Sequence, residues 1–407
     1  MQTSLANKMG VLFLGMFLVG TIGCDLKTTE ADLLSKILRQ SKDPLIQKIL
    51  DNQFAHEVQI LYTPIEKDQN GNPYFEEYAY QVDAAKYFYP ASTVKLPVAI
   101  LALQKVRALQ RQGIEIDPET PFKIFDPKKE VWIEKDSTHP QGKRTLSHLI
   151  KKLFLVSDNQ AYNDLFNFLG RDYINNSLWE KGIDNIQIQH KFSNATHNDL
   201  TPRLVFYSEE NKVLYQQEPI AASREMNSNF AWGLLKGKGF MKEGELIDNP
   251  MDFSQKNYAS LQALNQILKR VIFPEQFPEA QRFELAEDDY AFLKFWMSRT
   301  PTEVDVPFYD REYYYDSYCK FLMYGDQKGA MTDQIRIYNK VGLAYGTLTD
   351  VAYINDHRGT SFLLAATLLV NQNEIFNDEV YEYDEVGIPF LAALGRAVYA
   401  HQAQNKN

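Results

Sequence analysis

Strand-like alternation at both ends of the chain, with helical periodicity between them, limits the fold more than any other feature. His56 to Tyr62 (HEVQILY) alternates apolar and polar side chains, as a half-buried strand does. Asp68-Gln69-Asn70-Gly71-Asn72-Pro73 is a turn signal, and Tyr74 to Val82 reads as the returning strand of a hairpin. Strand signals come back after Thr332, over Ile335 to Leu343, Leu348 to Ile354 and Thr360 to Leu369. Between the two ends, Leu96 to Leu109 is a long apolar helix pattern, and 145–169 is helical with a break near Ser157. Further helices are expected at 258–272 and 286–298, and the last at 386–402. At the other end, 32–51 has apolar positions at helical spacing interrupted by Pro44. The simplest arrangement is an α/β (α+β) fold. One antiparallel sheet of about five strands would draw on both chain ends, with terminal helices flanking it and an all-helical subdomain inserted between its halves. Residues 56–402 would form one domain, with sheet parts in 56–90 and 332–402 and the helical part and insertion in 91–331.

The first residues read as an address rather than as fold. Lys8 precedes an apolar run from Met9 to Ile22, followed by Gly23-Cys24. A basic start, an apolar stretch of this length and a small residue before the cut make a secretory signal over 1–23. The run is short for a membrane span, which needs ~20 apolar residues. Thr21-Ile22-Gly23-Cys24 resembles the lipobox of bacterial lipoproteins, although Thr21 sits where Leu is commoner. The expectation is a lipid on Cys24, a tether and first helix over 24–55, and a location outside the cytoplasm, on a membrane facing the periplasm or cell surface. A lipidated Cys24 leaves Cys319 with no disulfide partner, since the chain has 2 Cys.

Of the 407 residues, 44% are hydrophobic and 24% charged, enough apolar chain for a sizeable core. The formal net charge of −10 argues against a nucleic-acid partner, because phosphate binding needs a basic face. The 7 His residues have no ligand spacing and read as structural.

Three short motifs stand in order: Ser92-Thr93-Val94-Lys95, Ser157-Asp158-Asn159 and Lys340-Val341-Gly342. Each is weak alone. Ser-x-x-Lys recurs at Ser317-Tyr318-Cys319-Lys320, and Lys-x-Gly at Lys242-Glu243-Gly244. Context separates them. Pro90-Ala91 precede Ser92 and an apolar helix follows, which puts Ser92 in a first helical turn with Lys95 on the same face. A serine hydroxyl is a poor nucleophile without a base beside it, and a lysine buried in apolar surroundings has its pKa lowered toward a useful range. Ser317-Lys320 lies in a Tyr-rich acidic stretch with no apolar helix after it, so it is read as a chance match that can be replaced without effect. Ser157-Asp158-Asn159 interrupts a helical pattern, as either a plain cap or a group of side chains presented to a cleft. Lys340-Val341-Gly342 lies on a predicted strand, where a Gly lets a ligand approach the backbone.

Taken together, these motifs resemble those of class A β-lactamases and penicillin-binding proteins. The resemblance covers roughly 56 to 402, excluding much of 204–330. YPASTVKLPVAILAL resembles the family's nucleophile helix, and KVGLAYGTLTDVAYI its strand pair. It implies a class A β-lactamase-like fold and an acyl-enzyme formed on Ser92, with Lys95 activating it. Ser157 would relay a proton to the leaving nitrogen. Asn159 would orient Lys95 and the substrate amide, and Lys340 would supply positive charge. Asp158, Val341, Gly342 and Leu343 would line the substrate. The backbone N–H groups of Ser92 and Leu343 would form the oxyanion hole. The implied partner is a β-lactam or a D-alanyl peptide, and the resemblance implies no metal and no organic cofactor.

Three departures stand out. Val341 replaces a Thr or Ser whose hydroxyl would bind the substrate carboxylate. The stretch from Pro202 to Lys340 is long. The segment corresponding to the family's Ω-loop, His190 to Pro202 (HKFSNATHNDLTP), has no Glu to activate a deacylating water. It offers only Asp199, His190 and His197 in that role. Hydrolysis of β-lactams is therefore the leading expectation, and D-alanyl-D-alanine peptidase activity the alternative. A degenerate binding lipoprotein and an esterase or amidase of unrelated substrate are the remaining readings.

Overall fold

The computed structural model describes residues 33–193 and 198–404, so the expected leader and Cys24 lie outside the described residues. Helices α1 (Leu33–Gln40) and α2 (Pro44–Asp51) come first. Asp43 caps α2 by accepting from the Leu45 N–H, and Pro44 occupies the first helical position, where a missing N–H costs nothing. The strands β1 (Gln59–Lys67), β2 (Pro73–Phe75) and β3 (Tyr78–Tyr80) follow. Both β2 and β3 return antiparallel on β1. The long helix α3 (Lys95–Arg111) is buried nearly all round through Val106, as a helix hydrophobic on every face must be. Next are β4 (Phe122–Asp126), β5 (Val131–Ile133), α4 (Leu146–Val156), α5 (Asn159–Leu169) and α6 (Arg171–Trp179).

The stretch expected to be all helical carries strands as well. β6 (Ile186–Gln187), β7 (Leu204–Tyr207) and β8 (Val213–Gln217) lead to the short strands β9 (Leu235–Lys236), β10 (Gly239–Lys242), β11 (Glu245–Ile247), β12 (Met251–Asp252) and β13 (Tyr258–Ala259). A four-stranded sheet runs β5-β4-β7-β8. These strands escape the periodicity argument because they span two to five residues, too few for a period of two to show. Helices resume with α7 (Leu261–Ile272), α8 (Glu287–Ser298) and the kinked turn α9 (Phe321–Tyr324).

The chain then completes the main sheet with β14 (Ile335–Ala344), β15 (Thr347–Asp356) and β16 (Ser361–Leu369), before β17 (Ile375–Phe376) and α10 (Ile388–Gln404). The sheet order is β14-β15-β16-β1-β2, and the two chain ends meet where β1 pairs antiparallel with β16. Both faces are covered. Leu363 and Ala365 of β16 join the core that contains α3, α4, α5 and α7, while Leu364, Ala366 and Leu368 join the core of α1, α2 and α10. That explains the near-continuous apolar run in β16. Each buried Leu of the strand contributes about 1.5–3 kcal/mol of apolar burial, and each Ala less. β14 is an edge strand, and the Ala91–Val94 turn packs beside it. Among the described residues, no helix is long and apolar enough to cross a membrane.

Candidate active site

Ser92 sits in a 3₁₀ turn, Ala91–Val94, that runs directly into α3. Ala91 is buried with φ +45°, a left-handed conformation rare for a residue with a Cβ. Thr93 locks the turn, its N–H and Oγ1 donating to the Pro90 carbonyl at 3.0 and 2.6 Å. Gly342 of β14 explains how the sheet edge comes so close: a Cβ there would meet the Pro90 carbonyl oxygen at 2.5 Å and the Thr93 nitrogen at 3.0 Å. The approach anticipated for a ligand is thus made by the chain's own nucleophile turn.

Lys95 is fully buried one turn after Ser92. Its Nζ donates to the Ser157 carbonyl at 2.5 Å, to Asn159 Oδ1 at 2.6 Å and to Ser157 Oγ at 3.2 Å. Burial, and then repulsion from Lys340, push its pKa well below the ordinary lysine value, against the pull of Asp158 and Cys319. The break in the helical pattern is real. α4 ends at Ser157, which adopts φ +57°, and Asp158 begins α5 by accepting from the Ala161 N–H at 2.7 Å. Ser157 is thereby turned between two amines: Lys340 Nζ donates to Ser157 Oγ at 2.8 Å. Lys340 is buried as well, and burial lowers its pKa to about 8, against the pull of Cys319 and Asp350.

Lys95, Ser157, Asn159 and Lys340 are therefore brought together by hydrogen bonds, with Ser92 one turn before Lys95 at the head of α3. The four positions expected at the substrate divide. Leu343 is at the exposed end of β14, opposite Leu348. Gly342 lines the nucleophile turn. Val341 is 4% exposed and packs in the core under the terminal helices, so only its carbonyl, which accepts from Lys340 Nζ at 2.8 Å, reaches the site. A hydroxyl at that position would have been buried on the far face of β14, not offered to a ligand. Asp158 is committed to capping α5 and to Lys152, 3.5 Å away.

The second Ser-x-x-Lys forms no dyad, as expected, but its residues are not idle. Lys320 Nζ donates to the Met297 carbonyl at 2.6 Å, to Asn339 Oδ1 at 2.7 Å and to the Ile337 carbonyl at 3.0 Å. Ser317 Oγ donates to the Gln327 carbonyl. Both are buried structural groups, so the expectation that they are replaceable is corrected.

Residues 190–193 lie along the cleft on α5. Asn163 clamps Phe192 by both backbone groups, accepting from its N–H at 2.8 Å and donating to its carbonyl at 2.9 Å. Phe192 thus faces Lys95, and Asn159 Nδ2 donates to Ser193 Oγ at 2.9 Å. Sequence reasoning missed both residues, because nothing marks a Phe-Ser pair in a loop. Of the three candidate deacylating residues, His197 lies outside the described residues. Asp199 is exposed, and its carbonyl accepts from the Ala222 N–H at 2.6 Å. His190 donates from Nδ1 to the Lys191 carbonyl at 2.7 Å, and its Nε2 is sealed from solvent without a partner. Burial lowers its pKa to about 4. A neutral imidazole could accept a proton, but the free Nε2 of this one is closed to bulk solvent. Among the described residues, no carboxylate pairs with Lys95 and no group of His, Cys, Asp and Glu could hold a metal ion.

The model of the Beta-lactamase enzyme family matches residues 43–227. No curated protein matches the sequence. Among solved structures, a variant of the class A beta-lactamase of the last common ancestor of Gram-negative bacteria is 14% identical, with a TM-score of 0.50 over 91% of this chain and 99% of that one. A second variant of that ancestor is likewise 14% identical, with a TM-score of 0.50 over 91% and 100%. TLA-3 extended-spectrum beta-lactamase is 16% identical, with a TM-score of 0.48 over 89% and 99%. The fold is that of class A β-lactamases. Ser92, Lys95, Ser157 and Lys340 are arranged on that frame.

Proposed function

We propose that this chain is a serine hydrolase that forms an acyl-enzyme on Ser92 with β-lactams. The observation carrying the proposal is the amine of Lys95, buried, lowered in pKa, and held between Ser157 and Asn159 one turn from Ser92. A neutral Lys95 takes the Ser92 proton as Oγ attacks the lactam carbonyl. The backbone N–H groups of Ser92 and Leu343 receive the oxyanion. The C–N bond breaks, and the nitrogen leaves with the proton of Ser157 Oγ, which Lys95 then replaces. Lys340, as a cation, polarises Ser157 and receives the substrate carboxylate. Labelling with a fluorescent penicillin tests the reading: one covalent label lost in Ser92→Ala supports it, and a label that survives that change refutes it.

A specific observation favours D-alanyl peptides as the alternative acyl donors. Phe192, not a carboxylate, faces Lys95, so among the described residues no water-activating carboxylate stands beside the amine. Release of D-Ala from a muropeptide, compared with hydrolysis of a chromogenic cephalosporin, separates the two substrate classes. We further propose that the mature protein carries lipid on Cys24 and works outside the cytoplasm, on the grounds of the Thr21-Ile22-Gly23-Cys24 sequence alone.

A further inference from the structure

A continuous wall of aromatic side chains leads from the catalytic amine to a second lysine. Phe192 follows Lys95, and its ring centroid is 6.0 Å from that of His190. His190 stacks on Tyr89 at 6.4 Å with planes 6° apart, and Tyr89 meets Tyr345 edge-on at 5.1 Å. Lys256 ends the row, its Nζ 5.5 Å from the centroid of Tyr345 and 3.5 Å from the Tyr345 hydroxyl.

Lys256 belongs to the inserted stretch, yet its place is built rather than incidental. Its N–H donates to the Phe253 carbonyl at 2.9 Å, and its own carbonyl accepts from Gln189 Nε2 at 2.7 Å. Phe253 packs on Tyr345 at 5.5 Å and on Tyr89 at 6.1 Å. Asn257 is fully buried and accepts from the N–H groups of Gln189 and His190 at 2.7 and 3.0 Å. The insertion is thus fastened to the segment beside the cleft on both sides of Lys256.

The charge at this point is uncompensated within the described residues. Lys236 and Lys269, from the same region, hold Glu57 and Glu77. No carboxylate among the described residues pairs with Lys256, in a chain with a formal net charge of −10. Its neighbours are a phenol and an imidazole that is neutral near pH 7. A half-buried ammonium whose charge meets a phenol and no carboxylate among the described residues is suited to an anion.

The strand gives that anion an address. β14 rises ~3.4 Å per residue, so Lys340 and Ala344, its last residue, are separated by roughly 14 Å along its edge, and Tyr345 follows in the hairpin turn at φ +52°. Ser92 lies between them, because Gly342 packs on its turn. A substrate laid along this edge with its leaving-group carboxylate toward Lys340 extends its acyl part toward Tyr345.

We infer that Lys256 binds an anionic group on the acyl side of the substrate, so that the preferred acyl donor is a peptide or lactam whose side chain bears a second carboxylate. The inference rests on the acyl-serine reading given above.

The test compares benzylpenicillin with carbenicillin, which adds one carboxylate to the same side chain, by following adduct formation by intact mass. The full chain is expected to acylate faster with carbenicillin by about tenfold, the scale of a charge-assisted hydrogen bond. Lys256→Ala should remove that preference while leaving the benzylpenicillin rate within about twofold, and Lys256→Arg should keep it. Added salt should shrink it. Equal rates for the two penicillins in the unaltered chain overturn the inference, as does an equal fall of both in Lys256→Ala. Adduct with neither penicillin is a different result: it overturns the acyl-serine reading and this inference with it.

Discussion

Lys95 Nζ stands 5.0 Å from the centroid of the Phe192 ring, so the buried amine meets an aromatic surface. A ring stabilises a cation weakly and cannot take a proton from water. On the proposed mechanism, the dyad that would open a lactam and the base that would clear the ester are separable, and the kinetics should show the separation.

Acylation is expected to outrun deacylation. Mixing with benzylpenicillin should produce a species heavier by one penicillin, visible by intact mass for much longer than one acylation half-time. Phe192→Glu should shorten its lifetime by about tenfold or more, within the 10²–10⁴-fold range of a positioned general base. Rapid steady-state hydrolysis without an accumulated adduct in the unaltered chain would contradict this and point to a base within 194–197.

The pH profile of acylation should be bell-shaped. Lys95 acts as the neutral amine, so acylation is lost as pH falls through its lowered pKa, and the rising limb lies well below the ordinary lysine range. Lys340 acts as the cation, so activity declines as pH rises through about 8. In Lys340→Arg the charge persists, and the falling limb should move up by more than one pH unit. A falling limb that stays in place would assign it to another group.

Much of this site was legible in the sequence. Ser92 and Lys95 could be paired because an i, i+3 spacing before an apolar helix leaves few alternatives, and the break at Ser157 showed as a polar interruption of a helical run. Val341 was read wrongly. A motif position says nothing about which face of a strand its side chain takes, and the packing of α10 on the outer face decides that. Phe192 and Ser193 were invisible because Asn163 and Asn159, thirty residues away in sequence, place them. The small strands between 204 and 259 are set by long-range pairing, which local periodicity does not carry.

Lys320→Ala should destabilise the fold by about 2–4 kcal/mol, since it empties a buried site and strands three acceptors. Lys320→Met, which keeps the volume, should cost less. Denaturant unfolding measures both, and penicillin labelling below the unfolding midpoint should survive in each. Loss of labelling in a folded Lys320→Met would mean that the second Ser-x-x-Lys supports the site and not merely the core.

Gly342→Ala tests whether the close contact between β14 and the nucleophile turn matters to the chemistry. The added methyl meets the Pro90 carbonyl oxygen at 2.5 Å and the Thr93 nitrogen at 3.0 Å, both backbone atoms that cannot rotate away. Relief requires the strand edge and the turn to part by several tenths of an ångström. The overpacking should cost about 1–3 kcal/mol in stability. The larger effect falls on rate. The N–H of Ser92 is on the turn and that of Leu343 on the strand, so parting the two opens the proposed oxyanion hole directly. Loss of one well-placed donor costs about 10²–10³ in rate. Acylation by benzylpenicillin should fall by at least about tenfold at a temperature where the variant is fully folded, with the pH profile unchanged because neither amine is touched. A folded Gly342→Ala that acylates at the unaltered rate would show that the oxyanion is received elsewhere.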